Sequence, residues 1–439
     1  MKVAAIIAEY NPLHQGHLFH MEETKRRTGA DALIVIMSGS FVQRGEPAIV
    51  DKYRRANAAT QCGADLVIEL PVLFSLQSAE GFARGSVALV KGTGIVDYLS
   101  FGSEAGDLAP LERMAALQAQ SNVEYHLTLR RGLAQGLSYT KAAHHAAQTH
   151  LGLDRHKRLG SNDILGIEYL KALEGSKIKP MTIARRGSYL SKEITKEQHP
   201  SATALRHSLL RGDSARSLEE HIPFPMAKSL NLFQLEYGQF PSVNQLRPHL
   251  QQLLLIEERD LRTITRYETG LDNLLKKVIR RNEDLVTALY TASSTRYTLS
   301  RLQRFVLNSL LNISQGDVDQ ALLGEQLYLR PLSFNAQGQR LMSRIKKEGS
   351  LPLLSRFAEG FEGEAPSPHL KREVKATSLY EMLIGGRDFD QDFTNSPRLY
   401  VPDNPDSTMM NLDQIDAPVI LDDTNDFDIL KDLDDPAKT

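Results

Sequence analysis

The stretch IAEYNPLHQGHLFH, residues 7–20, decides the fold of this chain. Ile7 and Ala8 end the apolar run VAAIIA that starts at Val3, which has the length and composition of a buried strand. Glu9, Tyr10, Asn11 and Pro12 break it, because Asn-Pro favours a turn and proline has no N–H for a ladder. Leu13, His14, Gln15 and Gly16 lead into a helix entered near His17, with Leu18, Phe19 and His20 in its first turns. His14, Gly16 and His17 form an HxGH pattern, which this composition yields by chance roughly 0.03 times per chain. Two imidazoles at a strand-to-helix junction suit attack on a nucleotide α-phosphate. They can donate hydrogen bonds to the phosphoryl oxygens, and a helix N-terminus adds free N–H groups and a positive dipole end. Gly16 lets the backbone approach the nucleotide with no Cβ in the way. The bland alternatives are a surface loop with incidental histidines, or a His-x-x-His metal pair kept open by His20. No nearby carboxylate has a recognisable ligand spacing, so no metal is assigned.

Outward from this junction, the first 200 residues alternate strand and helix signals. ALIVIM (32–37), DLVIEL (65–70), VDYLSF (96–101) and PMTIARR (180–186) read as further strands. Helix-patterned stretches lie at 17–28, 52–62, 78–91, 110–119 and 162–174. That order predicts an α/β fold with a parallel sheet, ligands lying at the carboxyl ends of the strands. Neither GxxxxGK[ST] nor GxGxxG follows any strand, which excludes P-loop and dinucleotide-binding Rossmann readings. From about 215 the texture becomes helical, at 244–256, 271–289, 298–312 and 316–323, with HIPFPM (221–226) as the expected linker. The expected division is therefore 1–215 catalytic, 216–390 mainly helical, and 391–439 an acidic tail, partly disordered or extended.

The chain has 439 residues, 41% hydrophobic and 24% charged, in the range of ordinary globular proteins. Its start lacks a signal-peptide pattern, no run approaches the length of a membrane span, and Cys62 is its one cysteine. An intramolecular disulfide is excluded, and the expected compartment is the cytoplasm. The net charge of −2 conceals an asymmetry: residues 387–439 hold 14 Asp and four basic residues, leaving 1–386 with +8. A basic body permits a polyanionic partner; a solvated body with a solubilising tail is the alternative.

Other candidates lie at later strand ends. Gly102 follows a strand where an adenine could lie on bare backbone, Asn162 opens a helix, and Arg185 and Arg186 end a strand on the ligand side. In SGSFVQRGEPAIVDKYRRA (38–56), Gln43 and Arg44 suit a loop over phosphate, while Arg44, Lys52, Arg54 and Arg55 equally suit a solvated face. Lys276, Lys277, Arg280 and Arg281 share one helical stretch, and Arg296, Arg301 and Arg304 follow, with Tyr290 and Tyr297 interleaved. Such a surface stacks bases while holding phosphates, although an amphipathic helix pair has the same pattern.

The strand–loop–helix resembles the HxGH signature shared by nucleotidyltransferases and class I aminoacyl-tRNA synthetases. Ser201, Thr203 and Arg206 in HPSATALRHSL are similar to those families' second, ISSTxxR-like motif, with Pro200 in its aliphatic first position. The set AEYNPLHQGHLFH, SGSFVQRGEPA, SNDILGIEYLKAL, ARRGSYLS, SATALR and SSTRYTLSRLQR resembles the bacterial tRNA(Met) cytidine acetate ligases over roughly the first 390 residues. The resemblance implies an enzyme that joins acetate to ATP as acetyl-adenylate, with Mg2+ carried by the ATP. The acetyl group then passes to the wobble cytidine of elongator tRNA(Met), giving N4-acetylcytidine. It implies an ATP pocket formed by Ile7 to His20 with Gly102, Asn162, Arg185 and Arg186, with His14 and His17 catalytic. Two other readings stand beside it: an adenylyltransferase acting on a small phosphorylated metabolite, and a non-catalytic RNA-binding protein.

Overall fold

Among the described residues nine strands are present: β1 (Val3–Ala8), β2 (Ala32–Ser38), β3 (Phe41–Val42), β4 (Glu46–Pro47), β5 (Leu66–Leu70), β6 (Tyr98–Ser103), β7 (Lys179–Ala184), β8 (Pro331–Phe334) and β9 (Arg398–Leu399). They come from a computed structural model that describes residues 1–402 apart from Ala105, 119–121, Ser138, 152–159, 186–199, Thr295, Glu325 and 363–367. Arg186 and residues 403–439 therefore lie outside the described residues. Seven strands form one sheet in the order β7-β6-β1-β2-β5-β8-β9, and β3 and β4 make a separate short ribbon. β7, β6, β1, β2 and β5 run parallel, as the alternation of strands and helices requires. β2 and β5 are buried along their whole length, which explains why they read as unbroken apolar runs.

The helical half does not stand apart. β8 pairs antiparallel with β5, and β9 extends the sheet beside β8. Residues 1–401 form one compact unit, whose main apolar cluster runs from Val3 to Ile384 beside a smaller one around Tyr328, Leu354, Phe357 and Leu370. HIPFPM is not a linker, because Pro223 and Pro225 begin the helix Phe224–Tyr237, where a proline's missing N–H costs nothing. The expected helix over 271–289 breaks at Asn282, since the Asp284 carboxylate accepts from Thr287 N–H and starts a new helix at Leu285. The stretch 244–256 is irregular, a 3-10 turn, a short α-helix containing Pro248 and a wide turn in succession.

Two cations from the 38–56 stretch belong neither to a phosphate loop nor to a solvated face. Arg55, on helix α2 (Lys52–Gln61), is fully buried. Its guanidinium donates to the carbonyls of Glu9, Ser38, Gly39 and Val50, pinning the carboxyl ends of β1 and β2 together. Lys52 is also buried, 2.7 Å from both Glu69 on β5 and Asp392. Arg330 contacts the same two carboxylates at 2.8 Å and donates to the Tyr53 hydroxyl at 2.8 Å. A buried ion cluster persists only when its charges are paired, and here the partners come from α2, β5, the residue before β8 and the short helix Gln391–Thr394. Residues 391–401, expected in the tail, are thus part of the body.

Candidate active site

The HxGH residues build the N-terminus of helix α1 (Gln15–Thr28) themselves. His14 is the N-cap, and its Nδ1 accepts from Gly16 N–H at 3.1 Å. His17 returns the favour, its Nδ1 accepting from His14 N–H at 3.2 Å. The arrangement is a capping box written in imidazoles. Because each Nδ1 accepts, a neutral ring carries its proton on Nε2, so each histidine has a donor on its far side. The rings stack with centroids 3.8 Å apart, and Tyr10 meets His17 edge-on at 5.0 Å. Burial, reinforced by His14, Arg185 and His20, holds His17 well below the usual imidazole range, and burial with Arg185 brings His20 down to about 4. Both are neutral at pH 7. Gly16 has a local reason to be glycine: a Cβ there would stand 2.9 Å from His14 Cε1.

A cavity of roughly 230 Å³ opens at the carboxyl ends of β1, β6 and β7. Of the segment from Ile7 to His20, it is lined by Ile7, Ala8, Glu9, Tyr10, Asn11, His14, Gly16, His17, Phe19 and His20. Gly102, Asn162, Arg185, Ser201, Thr203 and Arg206 line it too, so the structure brings both motifs to one place. Pro12, Leu13, Gln15 and Leu18 do not line it. Leu13 is core, and Gln15 N–H donates to the His221 carbonyl at 2.9 Å. His20 is turned toward Ser100, Nε2 to Oγ 3.0 Å. Among the described residues no three His, Cys, Asp or Glu side chains are grouped to hold a metal ion.

Each cation has a position fixed by the fold. Arg185 Nη1 donates to Asn162 Oδ1 at 2.8 Å, and Asn162 donates to Glu104, whose carboxylate also accepts from Asp163 N–H. Burial lowers Arg185, and Arg44 nearby lowers it further. Gly102 does not offer bare backbone alone, because a Cβ there would lie 3.3 Å from the Arg185 stem. Arg206 donates to the Asn11 carbonyl at 2.7 Å and to Glu46 at 2.8 Å, and so clamps the HxGH turn to the β3–β4 ribbon. Ser201 accepts from Ala204 N–H at 3.2 Å and caps the helix Ala202–Leu210. Glu9 is pushed up by burial, against the pull of Gln43 N–H, Arg206 and Arg44.

The sequence reading missed the apolar wall of Phe82, Phe101, Leu165, Tyr169 and Ile183. Part of it was recoverable, since Asn162, Leu165 and Tyr169 fall on one face of the helix Ser161–Leu173. Of the seven cations expected on an RNA face, Lys277, Arg280 and Arg281 are exposed and Lys276 half-exposed, opposite the buried Leu271, Leu275, Val278 and Ile279. Arg296 and Arg301 share Glu268 and flank the Tyr297 ring at 5.3 and 5.1 Å. Arg304 leaves the set: its guanidinium is turned inward and donates to the Gln43 carbonyl at 2.9 Å. Among the described residues no helix is long and apolar enough to cross a membrane.

Residues 1–393 match the family described as HIGH Nucleotidyl Transferase. A tRNA(Met) cytidine acetate ligase of Thermoanaerobacter sp. (strain X514) is 35% identical over 399 residues, covering 89% of this chain and 98% of the relative. One from Clostridium botulinum (strain Langeland) is 32% identical over 411 residues, covering 91% and 98%. The crystal structure of Thermotoga maritima TmcAL bound with alpha-thio ATP aligns with a TM-score of 0.81 at 29% identity, covering 91% of this chain and 99% of that one. With the paired histidines at the first strand end and matches of this extent, the chain belongs to the HIGH nucleotidyltransferase family, among the tRNA(Met) cytidine acetate ligases.

Proposed function

We infer that this protein binds ATP in the cavity beside His14 and His17, joins acetate to AMP, and acetylates the exocyclic amine of the wobble cytidine in elongator tRNA(Met). The observation that carries the reading is the stacked histidine pair with both Nδ1 atoms occupied by backbone N–H groups. It puts the proton of a neutral ring on Nε2, at a helix N-terminus beside a cavity that Arg44 and Arg185 also line. An acetate oxygen attacks the α-phosphorus, a new P–O bond forms, and the bond to the β-phosphate oxygen breaks to release pyrophosphate. Negative charge grows on the phosphoryl and leaving oxygens, where imidazole N–H groups and guanidinium cations stabilise it. Acetate is already ionised at neutral pH, so the step needs positioning more than a strong base. The cytidine amine then attacks the acetyl carbon, AMP leaves, and the amine loses a proton. Mg2+ carried by the ATP would offset the charge of the triphosphate and of the leaving pyrophosphate. Lys276, Lys277, Arg280 and Arg281, with Arg296, Tyr297 and Arg301, offer phosphate and stacking contacts to the tRNA.

The test is incubation with labelled acetate, ATP and total tRNA, followed by nucleoside analysis. Label should enter RNA as an acid-stable cytidine modification, in step with AMP and pyrophosphate. AMP retained in a small dinucleotide would indicate a metabolite adenylyltransferase. ATP turnover without labelled RNA would overturn the ligase reading.

A further inference from the structure

The turn between β3 and β4 is where the cavity meets the helical half of the chain. It carries Gln43 and Arg44, both of which line the cavity. Gln43 is held on both sides: its N–H donates to the buried Glu9 carboxylate at 2.7 Å, and its carbonyl accepts from Arg304 at 2.9 Å. Beside it, Gly45 has φ 79° and lies against the helix Leu299–Leu310. A Cβ on Gly45 would stand 2.4 Å from the Arg304 backbone nitrogen, so only glycine allows this approach. One turn beyond Arg304, Asn308 donates to the Leu76 carbonyl at 3.4 Å, so the same helix also holds the segment at Leu76.

The carbonyl of Gln43 belongs to the peptide unit whose nitrogen is that of Arg44. A peptide is planar, so fixing its oxygen fixes the plane from which the Arg44 side chain departs. We propose that Arg304 is a positioning residue for adenylate formation: by anchoring Gln43 it sets where Arg44 stands in the cavity, and makes a helix of the second half part of the nucleotide site. The proposal rests on the acetate-activating reading of that cavity. It also gives the arginine a reason to be turned inward, since a half-buried guanidinium needs acceptors and the Gln43 carbonyl is one.

The experiment measures acetate-dependent ATP–pyrophosphate exchange on the full chain without RNA, alongside tRNA binding. Arg304→Ala should lower exchange about 10–100-fold, the loss typical of a reacting group displaced by about 1 Å. Arg304→Lys should restore part of it, since a charged donor again faces the carbonyl. Gly45→Ala pushes the turn off the same helix from the other side, and should cause a loss that does not multiply with that of Arg304→Ala. The tRNA affinity should stay close to wild type in all three, and the thermal midpoint in both Arg304 variants, whereas Gly45→Ala, with a left-handed φ and a backbone contact to displace, should melt lower. Unchanged exchange in a folded Arg304→Ala protein, or lost tRNA binding with exchange intact, overturns the proposal. If Arg304→Ala fails to fold, Arg304→Gln, which keeps most of the stem but not the charge, decides by the same readout. Wild-type protein that shows no acetate-dependent exchange at all would count against the proposed function instead.

Discussion

Replacing Gly16 with alanine is a narrow perturbation of the site. The added Cβ would stand 2.9 Å from His14 Cε1 and 3.1 Å from its Nδ1, inside normal contact distance. The ring must move, because Gly16 is fixed in the first turn of α1 and His14 is only 5% exposed. Two stability effects oppose each other: the imidazole cap weakens by about 1 kcal/mol, and alanine gains up to about 1 kcal/mol of helix propensity over glycine. The fold should therefore survive with a melting shift of roughly 2–4 °C at most. Catalysis has no such offset. Displacing the Nε2–H donor of His14 should cost about 10²-fold, approaching the 10²–10³ loss of a deleted donor. ATP–pyrophosphate exchange with acetate measures it, and His14→Ala with Gly16→Ala should be no slower than His14→Ala alone. Full activity in Gly16→Ala, or a double mutant slower by the product of the two losses, would refute the argument that Gly16 acts by seating His14.

Three further outcomes follow from other parts of the structure. His17 and His20 are depressed by burial, so the unfolded chain takes up protons first as pH falls below about 6.5, and stability declines from there toward pH 4. His17 should contribute no limb to the adenylation rate between pH 6 and 8, and an acid limb near 6.5 that vanishes in His17→Asn would contradict this. Arg330→Met leaves Glu69 and Asp392 sharing Lys52 alone, and should cost about 3–5 kcal/mol in denaturant unfolding. A loss below about 1 kcal/mol would mean the cluster is not held by its charges. Changing Lys276, Lys277, Arg280 and Arg281 together to alanine should weaken tRNA binding and flatten its slope against log salt by up to about 3–4, with folding checked by circular dichroism. An unaltered slope removes this helix from the RNA face.

What the sequence disclosed followed from local chemistry. β1, β2 and β5 were legible because a strand covered by neighbours is a mostly apolar run, and β6 and β7 because short apolar stretches there end at turn or charged residues. The HxGH residues were legible because their spacing is the spacing of a helix cap. β8 was not, being four residues that begin with proline inside a helical stretch. For Lys52 and Arg55 a solvated face read as well as a functional one, because their partners are backbone carbonyls and side chains as distant as Asp392, which no local window contains. Arg304 misled for a related reason: its spacing from Arg301 implied a shared surface, but the Gly45 turn comes close enough to take it inward.

The antiparallel pairing of β5 with β8 also bears on how the chain is made. When Leu66–Leu70 has left the ribosome, the strand that covers its outer edge is still some 260 residues from synthesis. Until then that edge presents unpaired N–H and C=O groups, and Glu69 lacks the Arg330 that will neutralise it. A catalytic half released early, by truncation or a stalled ribosome, would be an open sheet with a buried-type carboxylate exposed, a species prone to pairing with its neighbours. The high contact order makes closure of the sheet a late event, so adenylate chemistry should emerge only after the helical half has been translated.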